Sequence, residues 1–151
     1  MKRRGLLLAA LAVLTAVLAG LWFWWVPLVS APEVVERGAA LWRGEQPFVG
    51  RIVGHTSTLP STASRCINCH TGATGPLGEP GAAPRLTAEH LRGAVSRRGG
   101  PPSRFDEASF CTLLRTGLDP AAVLVPRHMP RYEVGDADCA ALWRYLVSAS
   151  R

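Results

Sequence analysis

Cys66-Ile67-Asn68-Cys69-His70 is a C-x-x-C-H run, and every other expectation for the chain follows from how it reads. Two thiols three positions apart on one helical turn can add to the two vinyl groups along one side of a haem. The neighbouring imidazole then faces the iron, and this spacing is the attachment signature of haem c. Other chemistries open to a C-x-x-C pair fit less well. A thioredoxin-like dithiol opens a helix within a βαβ pattern, which this sequence lacks. A zinc site needs further ligands at short spacing, and Cys111 and Cys139 lie 45 and 73 residues beyond Cys66. The run therefore predicts one covalent haem c held by Cys66 and Cys69, with His70 as an iron ligand.

An iron that only carries electrons needs a sixth ligand. Met129 is the sole methionine after Met1 and sits 59 residues past His70, in Arg127-His128-Met129-Pro130-Arg131-Tyr132. The chain fills its apolar positions with Leu, Val and Ala, so one Met in a loop before a proline is poorly explained as core filler. A thioether ligand favours the ferrous state and raises the potential relative to a bis-His site. His128 is the alternative. Adjacent residues do not easily both face one iron, and Pro130 stiffens the chain on the Met129 side. His55 and His90 read as ordinary surface or core residues.

The amino terminus bears on the compartment. Met1-Lys2-Arg3-Arg4 precedes an uncharged apolar stretch from Gly5 to Val29. Its 22 residues from Gly5 to Val26 would reach roughly 33 Å as a helix, enough to cross a bilayer core. Trp22, Phe23, Trp24 and Trp25 crowd the far end, where amphipathic rings favour the lipid–water boundary, and the basic tip should stay cytoplasmic. The expectation is a membrane anchor or signal segment over 1–31. It makes the chain a single-pass protein of a bacterial inner membrane, with residues 32–151 forming a periplasmic domain. The alternative is a soluble periplasmic protein after signal cleavage, at Val29-Ser30-Ala31 or Val17-Leu18-Ala19. Pro32 opposes the first site, and the second would leave an apolar stub.

Net charge excludes one class of partner. The formal +6 includes three basic residues in the tip, and the remaining 14 arginines against 11 acids leave +3 beyond it. Those arginines are scattered through Gly/Pro-rich segments rather than aligned on one helix, so no nucleic-acid footprint is present.

Helical signals dominate beyond residue 31. Thr87 can cap a helix to about Arg98, stopped by Gly99-Gly100-Pro101-Pro102. Asp106 can cap another through Thr116, with Gly117 at its end. A last helix is expected from Asp136 to Ser148, with Leu142 and Tyr145 on one face beside Cys139 and Leu146. A loop from Leu118 to Gly135 would carry Met129. No period-two alternation runs for a useful length, so the domain is expected to be all-α.

With these landmarks in place, the chain resembles the monohaem class I cytochrome c family over roughly residues 33–149. Family members cross an amino-terminal helix with a carboxy-terminal one, the first carrying Gly and an aromatic four apart. Gly38 and Trp42 match that pattern. Pro84-Arg85-Leu86 resembles the family's Pro-x-Leu segment, which implies that Pro84 offers its carbonyl to the His70 ring and that Leu86 lines the haem. Pro76-Leu77 is a rival for that role. The chain departs from the family at 44–64, because Trp42 and Cys66 are 24 residues apart where family members have only a few. That segment reads as an insertion that covers a haem edge, forms a partner surface or merely bulges.

Cys111 and Cys139 fall on two of the expected helices in an oxidising compartment, which favours a disulfide over two separate buried thiols. The resemblance implies an electron carrier rather than an enzyme. Arg115-Thr116-Gly117-Leu118-Asp119-Pro120, Met129-Pro130 and Leu142-Trp143-Arg144-Tyr145-Leu146 look like haem subunits that accompany periplasmic dehydrogenases. The expected partners are a dehydrogenase and an oxidase or another cytochrome. A haem-based redox or gas sensor, or a small haem enzyme, is the rival, and either needs a displaceable ligand at Met129.

Overall fold

The computed structural model describes residues 31–70 and 83–148, together with Thr15. Helix α1 (Ala31–Arg43) opens the domain with Glu33 in its first turn and Arg43 in its last, both favourable to the helix dipole. It ends where Gly44 takes φ 74°, with Gly44 N–H donating to Leu41 O at 3.1 Å and Glu45 N–H to Ala40 O at 2.9 Å. This paired closure satisfies carbonyls the helix leaves open.

The short strand β1 (Val49–Arg51) follows, then the single turn α2 (Ile67–His70) that carries the C-x-x-C-H run. Helix α3 (Ala88–Arg92) is capped by the Thr87 hydroxyl, which accepts from His90 N–H at 3.1 Å. Helix α4 (Glu107–Thr116) begins at a reciprocal cap between Asp106 and Ser109 and ends at Gly117, in the left-handed conformation. Strand β2 (Arg131–Glu133) leads into helix α5 (Asp136–Ser148).

Helices α1 and α5 lie across each other with almost no space at Gly38. A Cβ there would fall on the Ala141 carbonyl and 2.7 Å from Tyr145 Cβ. Glycine's cost in a helix is offset by this close approach; Ala39 and Leu41 on α1 and Ala141 and Leu142 on α5 are all buried. Arg37 Nε donates to Asp138 at 2.6 Å across the same crossing. Helices α4 and α5 are joined by the Cys111–Cys139 disulfide, with a Cα–Cα separation of 5.8 Å. Phe110, Leu91, Leu142 and Cys139 are the largest fully buried side chains among the described residues, and Phe110 packs on Trp143 with ring centroids 5.5 Å apart.

Three expectations need correction. The domain is not all-α. β1 and β2 form a two-stranded antiparallel sheet in which Val49, Gly50 and Arg51 face Glu133, Tyr132 and Arg131. Three residues per strand are too few for a period-two pattern to show, and one strand lies in the segment read as an insertion, the other in the segment read as a loop.

The leading membrane-spanning helix is also not part of this architecture: among the described residues no helix is long and apolar enough to cross a membrane. The stretch 5–29 that raised the expectation lies outside the described residues, Thr15 apart, and Ala31 opens α1.

The helix expected from Thr87 to Arg98 stops at Arg92. Gly93 turns extended, with φ −73° and ψ 154°, and Val95 then pairs with Ser103 in a narrow hairpin. Arg98 at φ 51° and Gly99 at φ 75° make its tip, so the Gly-Gly-Pro-Pro signal marks a hairpin turn and not a helix stop.

Candidate functional site

The helical turn α2 is built by two local bonds, from Cys69 N–H and His70 N–H to Cys66 O at 3.2 and 3.1 Å. This turn puts both sulfurs and the imidazole on a cavity of about 500 Å³, within the ordinary range for a small-molecule site. Burial pushes the Cys66 thiol up to about 12 and also raises that of Cys69. Both sulfurs are therefore protonated in the folded chain at neutral pH. Among the described residues no group of three or more His, Cys, Asp or Glu gathers as a metal cage.

His70 is fixed by its second ring nitrogen. Nδ1 lies 2.7 Å from the Pro84 carbonyl oxygen. A carbonyl only accepts, so Nδ1 carries the proton and Nε2 keeps its lone pair. Burial lowers the His70 pKa, the Pro84 bond acts in the opposite direction, and the nearby His90 lowers it further. The outcome is a neutral imidazole with one free lone pair, the form that binds a metal ion. The Trp42 ring stands between this imidazole and Tyr145 of α5, its centroid 6.4 Å from each.

Every residue named from the sequence as a haem contact lines this one cavity: Cys66, Cys69, His70, Pro84, Leu86 and Met129. Pro76-Leu77 lies outside the described residues. His128 lines the cavity too. It is exposed, however, whereas Met129 is half-buried and packs against the core. The backbone around Met129 is held on both sides. Its N–H donates to Pro126 O at 3.1 Å, and Arg131 Nη1 donates to its carbonyl at 2.6 Å while Arg131 Nε reaches Thr116 O at 3.1 Å. Gly117 is needed here twice over, for its φ of 80° and because the Arg131 guanidinium occupies the place of a Cβ.

No arginine could be ranked from the sequence as part of the site. Arg97 and Arg98 line the cavity and Arg104 does not. The Arg97 guanidinium lies 4.4 Å from the centroid of the Phe105 ring, and its Nη1 is tied to Val95 O, Ser103 O and Ser103 Oγ, its Nη2 to His90 O. Burial lowers its pKa, and the charge of Asp119 works against that. Nε–H and one Nη2–H have no acceptor among the described residues, which leaves a pre-positioned donor pair for an anion.

Asp119 was quoted in the sequence only as part of a motif, yet it is 5 % exposed and on the cavity wall. Its Oδ1 accepts from Ala121 and Val123 N–H at 2.9 and 2.8 Å, and its Oδ2 has no partner among the described residues.

The segment 44–64 supplies cavity wall rather than a loose bulge. Ile52, Leu59 and Ala63 line it beside Leu91, Phe110 and Leu142 from the helices. No signal in the sequence pointed to this, because the contact depends on the β1–β2 pairing.

Together the donor set suits a haem: two sulfurs on one turn, a neutral imidazole with a free lone pair, a thioether, apolar walls, and a guanidinium for a carboxylate side group. No protein-family model, curated protein or solved structure matches the chain.

Proposed function

We propose that this domain is a monohaem c-type cytochrome that passes single electrons between protein partners. The observation that carries the reading is the His70–Pro84 bond beside the paired cysteines, in a cavity that Met129 also lines. Cys66 and Cys69 would hold the macrocycle as thioethers, His70 Nε2 and Met129 Sδ would be the iron's protein ligands, and Leu86 would pack on the ring. When bound, the haem supplies a one-electron iron couple.

The chain's own residues govern how freely that couple turns over. The Pro84 carbonyl holds the imidazole in one tautomer and orientation. The apolar walls exclude water, and Arg97 offers its free donors to a propionate. With His70 and Met129 both holding the iron, no position would be left open to a substrate, and the task would be outer-sphere transfer rather than catalysis. The partners are a dehydrogenase on the donor side and an oxidase or another cytochrome as acceptor. The disulfide suits the periplasm, where such bonds persist.

The test is the holoprotein matured with its attachment machinery. Mass spectrometry should find one haem bound through thioether links, lost in Cys66→Ala/Cys69→Ala. Met129→Ala should lower the potential and let carbon monoxide bind the ferrous form quickly, whereas the wild type should bind it slowly. Fast, complete binding to the wild type would favour a sensor or enzyme with a displaceable ligand. A His128 ligand would leave the Met129→Ala spectrum unaltered.

A further inference from the structure

The segment 44–64 reaches the two halves of the cavity at once. On one side Asn68 Nδ2, inside the C-x-x-C-H turn, donates to Thr62 O at 2.8 Å. On the other, Tyr132 Oη donates to Ser64 O at 3.1 Å, across 68 residues of sequence. Ser64 is 3 % exposed, and its own hydroxyl lies 3.3 Å from Phe48 O and 3.2 Å from Ser61 O. Phe48 in turn meets the Tyr132 ring edge-on, with centroids 5.8 Å apart. Gly50 pairs with Tyr132 in the sheet in a tight fit: a Cβ there would stand 3.2 Å from Tyr132 Cε1, 3.3 Å from Ser64 Cβ and 3.4 Å from Pro130 Cβ. Leu59 N–H folds the segment back onto β1 by donating to Gly50 O at 2.8 Å, beside an antiparallel bridge between Arg51 and Thr58.

We infer that this segment is a strap that sets the position of Met129 relative to His70, with Tyr132 as its positioning residue. The inference rests on Met129 being an iron ligand. Tyr132 is three residues beyond Met129 with Pro130 and the anchored Arg131 between, so little slack separates the phenol from the thioether. A Met–iron bond is weak enough that its closed fraction depends on how well the chain holds the sulfur in place. A buried phenol with one protein acceptor holds it well, because release would leave the Ser64 carbonyl unpaired in an apolar setting.

The experiment compares holoprotein variants by ferrous carbon monoxide association, by reduction potential and by the ferric Met-to-iron charge-transfer band. Tyr132→Phe should speed carbon monoxide association about tenfold, the low end of what loss of an outer hydrogen-bond partner does to a metal site, weaken the band and lower the potential. Phe48→Leu, which keeps the hydroxyl and loosens the strap, should move all three readings the same way by less and serves where Tyr132→Phe does not fold. Asp106→Ala, which weakens the domain far along the chain from the strap, should leave them unchanged. Wild-type readings in folded Tyr132→Phe, or in Phe48→Leu when that variant stands in for it, overturn the strap. Equal changes in Asp106→Ala overturn it as well, since they reduce the effect to general loosening. If Met129→Ala also reads as wild type, the ligand assignment falls and the strap with it. If Met129→Ala opens the iron while the strap variants do not, the strap alone falls.

Discussion

The imidazole of His70 and the carbonyl of Pro84 stand 2.7 Å apart across fourteen residues of chain. That bond places the proton on Nδ1 and leaves Nε2 as the nitrogen that would face iron under the proposed function. With a haem bound, the same bond would feed electron density to Nε2 and favour the ferric state. Pro84→Ala keeps the acceptor but frees the backbone that aims it. The reduction potential of the holoprotein should rise by about 40 mV, the one-electron equivalent of roughly 1 kcal/mol of lost hydrogen bonding. Protein-film voltammetry reads this directly, and an unchanged or lowered potential would count against the role of the carbonyl.

Gly38 offers a test in which two rules give opposite signs. In an exposed helix interior, Gly→Ala stabilises by about 1 kcal/mol. Here the new methyl would meet the Ala141 carbonyl and Tyr145, so α1 and α5 must separate. Gly38→Ala should destabilise the domain by roughly 1–3 kcal/mol, the usual cost of overpacking, and lower its thermal midpoint. A midpoint above that of the wild type would show that the crossing is looser than described.

The Cys111–Cys139 bond closes a loop of 28 residues that includes Met129. Its removal should cost about 3–4 kcal/mol on the chain-entropy account. Denaturant titration of Cys111→Ala/Cys139→Ala against the oxidised wild type measures it. Thiol titration of the denatured, unreduced holoprotein should find no free cysteine.

Asp106 links the domain's stability to acid. The side-chain bond from Ser109 holds its carboxyl below the usual aspartate range, with the Ser109 backbone N–H adding to the effect. A carboxylate whose folded-state pKa is depressed adds stability that is complete above its unfolded value, near 4, and is lost as pH falls through the folded one. Asp106→Ala should therefore cost about 1 kcal/mol at pH 7, as helix caps do, and progressively less below pH 4. Thermal melts of both proteins at pH 7 and pH 3 give the difference, and a gap that widened at pH 3 would reverse the sign.

Much of the site was legible because its chemistry is local. The C-x-x-C-H run needs one turn, the Asp106 and Gly117 signals bound a helix at its true ends, and Met129, conspicuous as the sole methionine after Met1, does line the cavity. Gly38 and Trp42 could be matched to a crossing only through the resemblance to a family whose first helix carries a glycine and an aromatic four apart. What escaped was non-local or brief. Strands of three residues carry no period, so the pairing of Gly50 with Tyr132 left no trace in either segment. Arg97 could not be told from Arg98 or Arg104, because its rank comes from Phe105, His90 and Ser103 converging on it. Gly93 ended a helix early because its extended backbone opens the Val95–Ser103 hairpin, a tertiary choice that outweighed cap signals further on.

The crossing of α1 with α5 also sets an order of assembly. Leu142 and Leu146, which belong to the last helix described, line the same cavity as Cys66 and His70. A nascent polypeptide emerging amino terminus first exposes its two thiols some eighty residues before the wall behind them exists. During synthesis there is thus an interval in which those sulfurs are not yet walled in. The interval ends when α5 emerges and docks on Gly38.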